Sequence, residues 1–331
     1  MNRRNRVKPA QPPQKAQSLK PEQPLKKVRP QRHIAGLVTL SVGVTPERLG
    51  QHFLGNEGWR QRIAQAVFGS AAVAVPDDKS RAREHRAKAV WIEIGAGHGE
   101  MTGLLAQQAS RVVAIELDER LLPRLREKAA RLGNVSVVSG DVLSLDFAEL
   151  AGTERFRVYG NLPYYITSPI VHRLLEHAAR LDAAFLVMQL EVADRLAATP
   201  GHREYAYLSA IVQFYARVEI LLRIPPGAFR PPPKVWSALV ALRPPGERPA
   251  LGIDDERRFG QFLKTCFAQK RKTLRNNLRP LMNGENAEQV FREAGIAPNT
   301  RAEQLTLTQF ARLFESTTER RYSDRAPDER V

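Results

Sequence analysis

A single cysteine, Cys266, stands in the 331 residues, so no internal disulfide can form and the chain fits a reducing compartment. No apolar run is long enough to span a bilayer; the nearest, Ile34 to Val44, is interrupted by Gly36, Thr39, Ser41 and Gly43. The basic stretch ahead of it imitates a secretory leader but is too long and proline-rich, with no convincing cleavage site. Pro9, Pro12, Pro13, Pro21, Pro24 and Pro30 forbid the continuous amphipathic helix of a transit peptide. A cytoplasmic location is expected, with no membrane partner. The seven histidines lack ligand spacing, so no metal site is expected, and no Ser/His/Asp or Cys/His arrangement declares itself. Acid is scarce as well. There are 35 Asp+Glu against 51 Lys+Arg, and the net charge of +16 favours a polyanionic partner, nucleic acid before membrane. Residues 1 to 33 hold ten of the basic residues and one acid, so nine of the sixteen net charges lie there. Residues 1–44 read as a disordered basic arm.

What is there alternates between short apolar runs and helical spacing, the pattern of an α/β fold. Trp59, Ile63, Ala64 and Val67 predict a helix, and the charged, aperiodic residues 76–88 a surface loop. Ala89 to Ile94 reads as a buried strand. It runs directly into Gly95-Ala96-Gly97-His98-Gly99 and then Met101, Leu104 and Leu105 at helical spacing. Strand, glycine turn and helix make a cofactor loop, since glycines admit a ligand to the backbone and a helix start offers free N–H groups. A dinucleotide fingerprint would want its third glycine where Glu100 stands. Glu-x-Gly-x-Gly-x-Gly, from Glu93 to Gly99, suits S-adenosylmethionine instead, which has no pyrophosphate to cradle.

The strand Arg111 to Glu116 follows. Glu116, twenty-one residues after Gly95, is placed to take two ribose hydroxyls, although a solvated strand end would look the same. Asp118 is expected to cap the next helix. A third strand, Val135 to Val138, leads to Asp141, an acceptor for an adenine amine. The fourth apolar run, Phe156 to Tyr159, leads to Gly160-Asn161-Leu162-Pro163-Tyr164-Tyr165. Pro163 fixes φ and withholds an N–H, leaving the Leu162 carbonyl free to accept. The Asn161 oxygen, the Leu162 carbonyl and the Tyr164 ring then supply two acceptors and a stacking face for a planar base with an exocyclic amine. Asn-x-Pro after a strand is also a common turn. Four successive strands nevertheless deliver Gly95, Glu116, Asp141 and Asn161 to one edge.

Further on, helices are expected over Pro169–His177 and Tyr207–Tyr215, and strands over 184–188, 218–222 and 238–242. The proline-rich loop from Pro225 to Lys234 carries Phe229, either a second stacking face or a ring tucked under its own loop. Beyond Gly246 the pattern is purely helical. Phe259, Phe262, Leu263, Cys266 and Phe267 make an apolar stripe, and Lys264, Lys270, Arg271, Lys272 and Arg275 a positive face, for RNA phosphates or for solvent. Leu305 to Phe310 announces a last helix with a capping box and hydrophobic staple.

These stretches together with Gln51-His52-Phe53-Leu54, Ile115 to Asp118, Phe229 to Val235 and Gln269 to Arg275 resemble the KsgA family of small-subunit ribosomal RNA adenine dimethyltransferases, from about residue 45 to 315. The resemblance implies a Rossmann-like class I S-adenosylmethionine-dependent methyltransferase domain over 45–243, a small all-helical RNA-binding domain over 244–316 and a frayed tail over 317–331. It implies cofactor contacts at His52, Leu54, Gly95, Glu116, Asp141 and Asn161, with Gly97 in the same loop, and catalysis at Asn161, Leu162, Tyr164 and Phe229. RNA contacts would come from Lys234, Lys270, Arg271, Lys272 and Arg275. The implied partner is the immature small ribosomal subunit, met by a monomer, and the implied product is dimethyladenosine at two adjacent adenines of the 3′-terminal hairpin loop. The family usually has Asn where His52 stands and Asn or Gln where Tyr165 stands, and the long basic arm is outside its pattern. Two rivals share the fold: a large-subunit adenine methyltransferase of the macrolide-resistance type, and an assembly factor that lost catalysis. The Pro231 to Lys234 loop and the Gln269 to Arg275 segment favour the small-subunit enzyme over the first, and intact Glu116, Asp141 and Asn161 argue against the second.

Overall fold

The computed structural model describes residues 52–71, 89–282 and 287–323. The basic arm expected over 1–44 and the loop over 76–88 lie outside them. The apolar runs become strands of one seven-stranded sheet: β1 (Val90–Ile94), β2 (Arg111–Glu116), β3 (Val135–Ser139), β4 (Phe156–Asn161), β5 (Leu181–Gln189), β6 (Arg217–Ile224) and β7 (Ser237–Arg243). Their order is β3-β2-β1-β4-β5-β7-β6. β1 to β5 are parallel, and β7 runs antiparallel between β5 and β6. Runs such as residues 112–115 of β2 are apolar without alternation because helices cover both faces of the sheet.

On one face, α1 (Glu57–Ala71) and α2 (Glu100–Ala106) bury Ile63, Val67, Met101 and Leu105 against Trp91, Phe185 and Leu239. Beside them α3 (Leu122–Leu132) packs Leu125 against Ala114. The opposite face is covered by α4 (Phe147–Ala151), α5 (Thr167–Leu175), α6 (Leu190–Ala197) and α7 (Tyr207–Tyr215). After β7 the chain is helical: α8 (Arg248–Leu251), α9 (Glu256–Cys266), α10 (Leu274–Leu278), α11 (Ala287–Glu293) and α12 (Leu307–Ser323). The stripe of α9 joins the sheet-side core through Phe259, whose ring lies 5.0 Å from that of Phe214 on α7. Cys266 is fully buried in the same core, and burial pushes its thiol pKa up. Asn277 stitches α10 to the end of α9 by donating to the Cys266 carbonyl at 2.6 Å.

Three local expectations change. Asp118 does not cap α3, which starts four residues later; its carboxylate instead accepts from the Arg120 backbone N–H and guanidinium. α6 is an addition, its Leu190, Ala193 and Leu196 falling on one helical face directly after β5. Of the tail expected to fray over 317–331, residues 324–331 lie outside the described residues, and the first residues continue α12 through Ser323. Its start is as expected: the Gln309 N–H donates to Thr306 Oγ1, and the Thr306 N–H donates back to Gln309 Oε1.

The chain visits β1, β2 and β3 outward in one direction and then returns to place β4 on the other side of β1. The gap this reversal opens between the carboxyl ends of β1 and β4 is where an open α/β sheet admits a ligand.

Candidate active site

A cleft of about 810 Å³, counting its open mouth, occupies that edge. Gly95, Glu116, Asp141 and Asn161, one from the end of each of the first four strands or the turn after it, all line it. Its walls are apolar, with Ile94, Ile115, Leu117, Val142 and Ile170 among them. Gly95, Gly97 and Gly99 take φ of 69°, 58° and 78°, the left-handed region glycine enters without steric cost. A side chain at Gly97 would also begin 3.2 Å from the Phe53 ring. Glu116, 4% exposed, fastens this loop: Oε2 accepts from the Gly97 N–H at 2.7 Å and Oε1 from the Asp118 N–H at 2.8 Å. One acceptor position per oxygen is thereby taken and one per oxygen remains for a ligand. Asp141 Oδ1 accepts from the Leu143 N–H at 2.9 Å. No bond among the described residues uses its second oxygen.

At the far end, Asn161 Nδ2 donates to the His52 carbonyl at 2.7 Å. That bond fixes which way the amide faces, and Asn161 Oδ1 accepts nothing among the described residues. The Leu162 N–H is taken by the Val187 carbonyl, while its own carbonyl is likewise unused. Pro163, at φ −59° and ψ 132°, turns the chain out of β4. The Tyr164 hydroxyl pairs with Ser237 Oγ at 2.8 Å, and burial raises its pKa against the opposing pull of that bond. Against the same ring lies His52, centroids 5.5 Å apart and planes 30° apart. His52 Nδ1 donates to the Pro231 carbonyl at 2.8 Å, since a carbonyl can only accept. Next to it Phe53 and Arg230 exchange backbone bonds of 3.0 and 2.8 Å, and the Arg230 side chain lies where a Cβ on Gly55 would sit. Residues 52–55 are therefore braced on the proline-rich loop.

Two unused acceptors, an aromatic ring and a carboxylate-edged apolar cleft can hold a planar amine at one end and a ribose-bearing ligand at the other. Residues 45–319 match the ribosomal RNA adenine dimethylase family. The chain belongs to that family. Ribosomal RNA small subunit methyltransferase A of Acidobacterium capsulatum is 44% identical over 275 residues, 82% of this chain and 91% of its own length. Among solved structures, a dimethyladenosine transferase from Plasmodium falciparum superposes with a TM-score of 0.62 at 25% identity, over 80% of this chain and 98% of that one. The 23S rRNA methyltransferase ErmE does so with 0.60 at 27%, over 80% and 99%. As a ribosomal RNA adenine dimethylase the chain is an S-adenosylmethionine-dependent enzyme of Rossmann-like fold with a helical C-terminal part. The cleft fits that cofactor: Glu116 keeps two free acceptor positions side by side, as vicinal hydroxyls require, and among the described residues no Lys or Arg lines it to meet a pyrophosphate.

In this dimethylase some expected residues face elsewhere. Phe229 is 2% exposed and packs with Leu54, Phe185 and Val187 under the sheet, so it is not a second stacking face on this cleft. Proline spacing gave no facing for an aromatic, and the apolar floor under the loop decided it. The Leu54 side chain is in the same core, which leaves only its backbone to meet a ligand. Gly97 does not line the cleft, and its N–H is held by Glu116. On the helical side, Lys270 donates to the Arg203 carbonyl at 2.6 Å and Arg275 sits 3.4 Å from Glu288, whereas Arg271 and Lys272, and Lys234 on the proline-rich loop, are exposed without such partners among the described residues.

Two features went unforeseen. Glu93, inside the β1 apolar run, is 2% exposed and accepts from Thr102 Oγ1 at 2.5 Å. Burial pushes its pKa from 4.5 up to about 8, against that hydrogen bond. An acid amid five apolar neighbours was the available signal. The Ser237 partner of Tyr164 had none, lying 73 residues away. Among the described residues no cluster of three His, Cys, Asp or Glu could hold a metal, and no helix is long and apolar enough to cross a membrane.

Proposed function

We propose that the chain adds two methyl groups to the exocyclic amine of each of two adjacent adenines in the 3′-terminal hairpin loop of small-subunit ribosomal RNA. The carrying observation is the corner where Asn161, its amide turned by the His52 carbonyl, leaves Oδ1 beside the free Leu162 carbonyl and the Tyr164 ring. The Acidobacterium relative, named for the small subunit, supports that choice of RNA.

S-adenosylmethionine, when bound, supplies a methyl carbon on a positively charged sulfur. Glu116 would take the ribose hydroxyls and Asp141 an adenine amine, with the Gly95 backbone beside them. His52 and Leu54 would contribute backbone groups, because their side chains are engaged on Tyr164 and in the core. Asn161 and Leu162 accept from the target amine, drawing its hydrogens to one side so that the nitrogen lone pair points away from them. Tyr164 supports the base by its face and is itself kept upright by Ser237 and His52. Positioning supplies most of the rate. The amine proton becomes strongly acidic as the nitrogen is alkylated and leaves to water, so no side-chain base is required. A single-stranded loop lets the base be splayed into the cleft at low unstacking cost. The exposed Lys234, Arg271 and Lys272 hold neighbouring phosphates, with Lys270 and Arg275 adding charge to that face, and the helical part from 244 onward carries most of it. The enzyme works as a monomer in the cytoplasm on immature small subunits.

The test incubates the protein with labelled S-adenosylmethionine and ribosomal subunits from a strain lacking its own dimethyltransferase, then maps the label. Dimethyladenosine at two adjacent adenines near the small-subunit RNA 3′ end is expected. Label in large-subunit RNA would instead support a function like that of the 23S enzyme, whose structure is comparably similar. Cofactor binding without label would support a non-catalytic assembly factor.

A further inference from the structure

Outside the cleft, a groove of about 650 Å³ runs between α5, α7 and α9, where the helical part meets the sheet. Its floor is apolar, formed by Leu175 and Ile211. On its wall His172 and Tyr207 lie ring on ring, centroids 5.8 Å apart and planes 21° apart. Burial lowers the His172 pKa, with Lys264 acting the same way and Glu176 opposing, so the pair is neutral at pH 7 and presents a π surface without charge.

The charges around the groove are lopsided once pairing is counted. Its two acids are already engaged: Glu176 by Arg173 at 2.5 Å and Glu256 by Arg248 at 3.2 Å. Its two lining cations, Arg257 and Lys264, are exposed, and their side chains have no ion pair or hydrogen bond among the described residues. The groove thus pairs a stacking surface with uncompensated positive charge, the combination that holds single-stranded nucleic acid.

The middle of α9 adds a third observation. Gly260 sits in the helix interior, where alanine would favour the helix. A Cβ there would lie 3.5 Å from Ile211, an ordinary contact, so packing does not demand glycine. What glycine does provide is open groove, which a longer side chain would fill.

We infer that this groove is a second nucleotide site, taking one unpaired nucleotide of the ribosomal RNA beyond the target loop, its base on the His172–Tyr207 pair and its phosphate on Lys264 and Arg257. The inference rests on the proposed RNA substrate. The groove and the cleft lie on two sides of α5, which offers Ile170 to the cleft and His172 to the groove. One substrate can therefore be held on both sides of the helix that follows the Asn161 corner.

The experiment compares the native protein with Tyr207→Ala, Gly260→Leu and Lys264→Gln on undermethylated small subunits, measuring KM, kcat and cofactor affinity. Tyr207→Ala and Gly260→Leu should raise KM about fivefold or more, the low end of one base stacked on an aromatic, with kcat and cofactor affinity unchanged. Lys264→Gln, at an exposed site that cannot disturb the fold, should flatten the log–log salt dependence of binding by about 0.7, the value of one neutralised phosphate. Ultraviolet crosslinking of native protein to the subunits should give a nucleotide adduct on Tyr207. An unchanged KM in the first two variants with an unchanged salt slope in the third, or adducts confined to the Tyr164 corner, would overturn the second site while leaving the enzyme's function standing. Native protein that labels no RNA would overturn the functional reading itself.

Discussion

Replacing Glu116 with alanine should injure two things that separate measurements can tell apart. The carboxylate holds the Gly97 and Asp118 N–H groups, at 2.7 and 2.8 Å, in a site 4% exposed. A buried N–H deprived of its acceptor costs about 1–3 kcal/mol. The vacated space opens onto the cleft, so water reaches it and the lower figure applies to each. The variant should therefore lose about 2 kcal/mol of folding stability before any cofactor is added. The second loss is to the ligand. Two hydroxyls bonded to a carboxylate contribute about 1.5–3 kcal/mol each, so affinity for S-adenosylmethionine should fall roughly a hundredfold or more. Urea unfolding without cofactor reads the first effect, and calorimetric titration of the folded variant reads the second. A variant as stable as the native chain would refute the bracing of the glycine loop by Glu116. Native affinity would remove the carboxylate from the ribose site whatever the stability.

Glu93 should make stability fall with rising pH. Its folded pKa is about 8 against an ordinary 4.5, so between those values the folded chain keeps a proton that the unfolded chain has lost. The contribution is complete below 4.5, declines by about 1.4 kcal/mol per pH unit and is gone above 8. Between pH 6 and 8 the native protein should lose about 2 kcal/mol more than Glu93→Gln in urea unfolding, and parallel curves would contradict a buried, protonated Glu93. Asn161→Ala should nearly abolish methyl transfer while leaving binding of small subunits close to native by filter retention; turnover at the native rate would exclude the two-acceptor corner. Tyr164→Ala should cost about 1–3 kcal/mol of base stacking, read as kcat/KM on small subunits, and a native value would end the stacking assignment. Removing residues 1–44 should weaken RNA binding and flatten its salt dependence by about 0.7 for each phosphate the arm neutralises, without changing which base is modified; an identical slope would mean the arm binds something else.

The strands and the glycine turn were legible because each is written in consecutive residues. A short, β-branched apolar run such as Val112 to Ile115 suits a strand covered on both faces, and that reading sets Glu116 at the strand's end. What stayed hidden depends on pairings between residues far apart in the chain. His52 meets Pro231 over 179 residues and Asn161 meets its carbonyl over 109, and neither pairing leaves a local pattern. Phe229 is illegible for the same reason: whether an aromatic in a proline loop turns to the cleft or to the core depends on Leu54 and Phe185, far away in sequence. The Glu93 proton is of a third kind, a residue whose position was legible and whose charge was set by burial.

The tie of His52 to Pro231, the Phe53–Arg230 bridge and the Ser237 bond to Tyr164 carry a consequence for synthesis. Everything Glu116 and Asp141 need has been synthesised once β4 is made, but the Asn161 corner is held by residues 230–237, and β5 is left with an open edge until β7 arrives after β6. Pairings across long stretches of sequence form last in a growing chain. A nascent enzyme can thus assemble the Glu116–Asp141 side of its cofactor site early, while residues 52–55 and the corner that handles the base are fixed only when the sheet has closed.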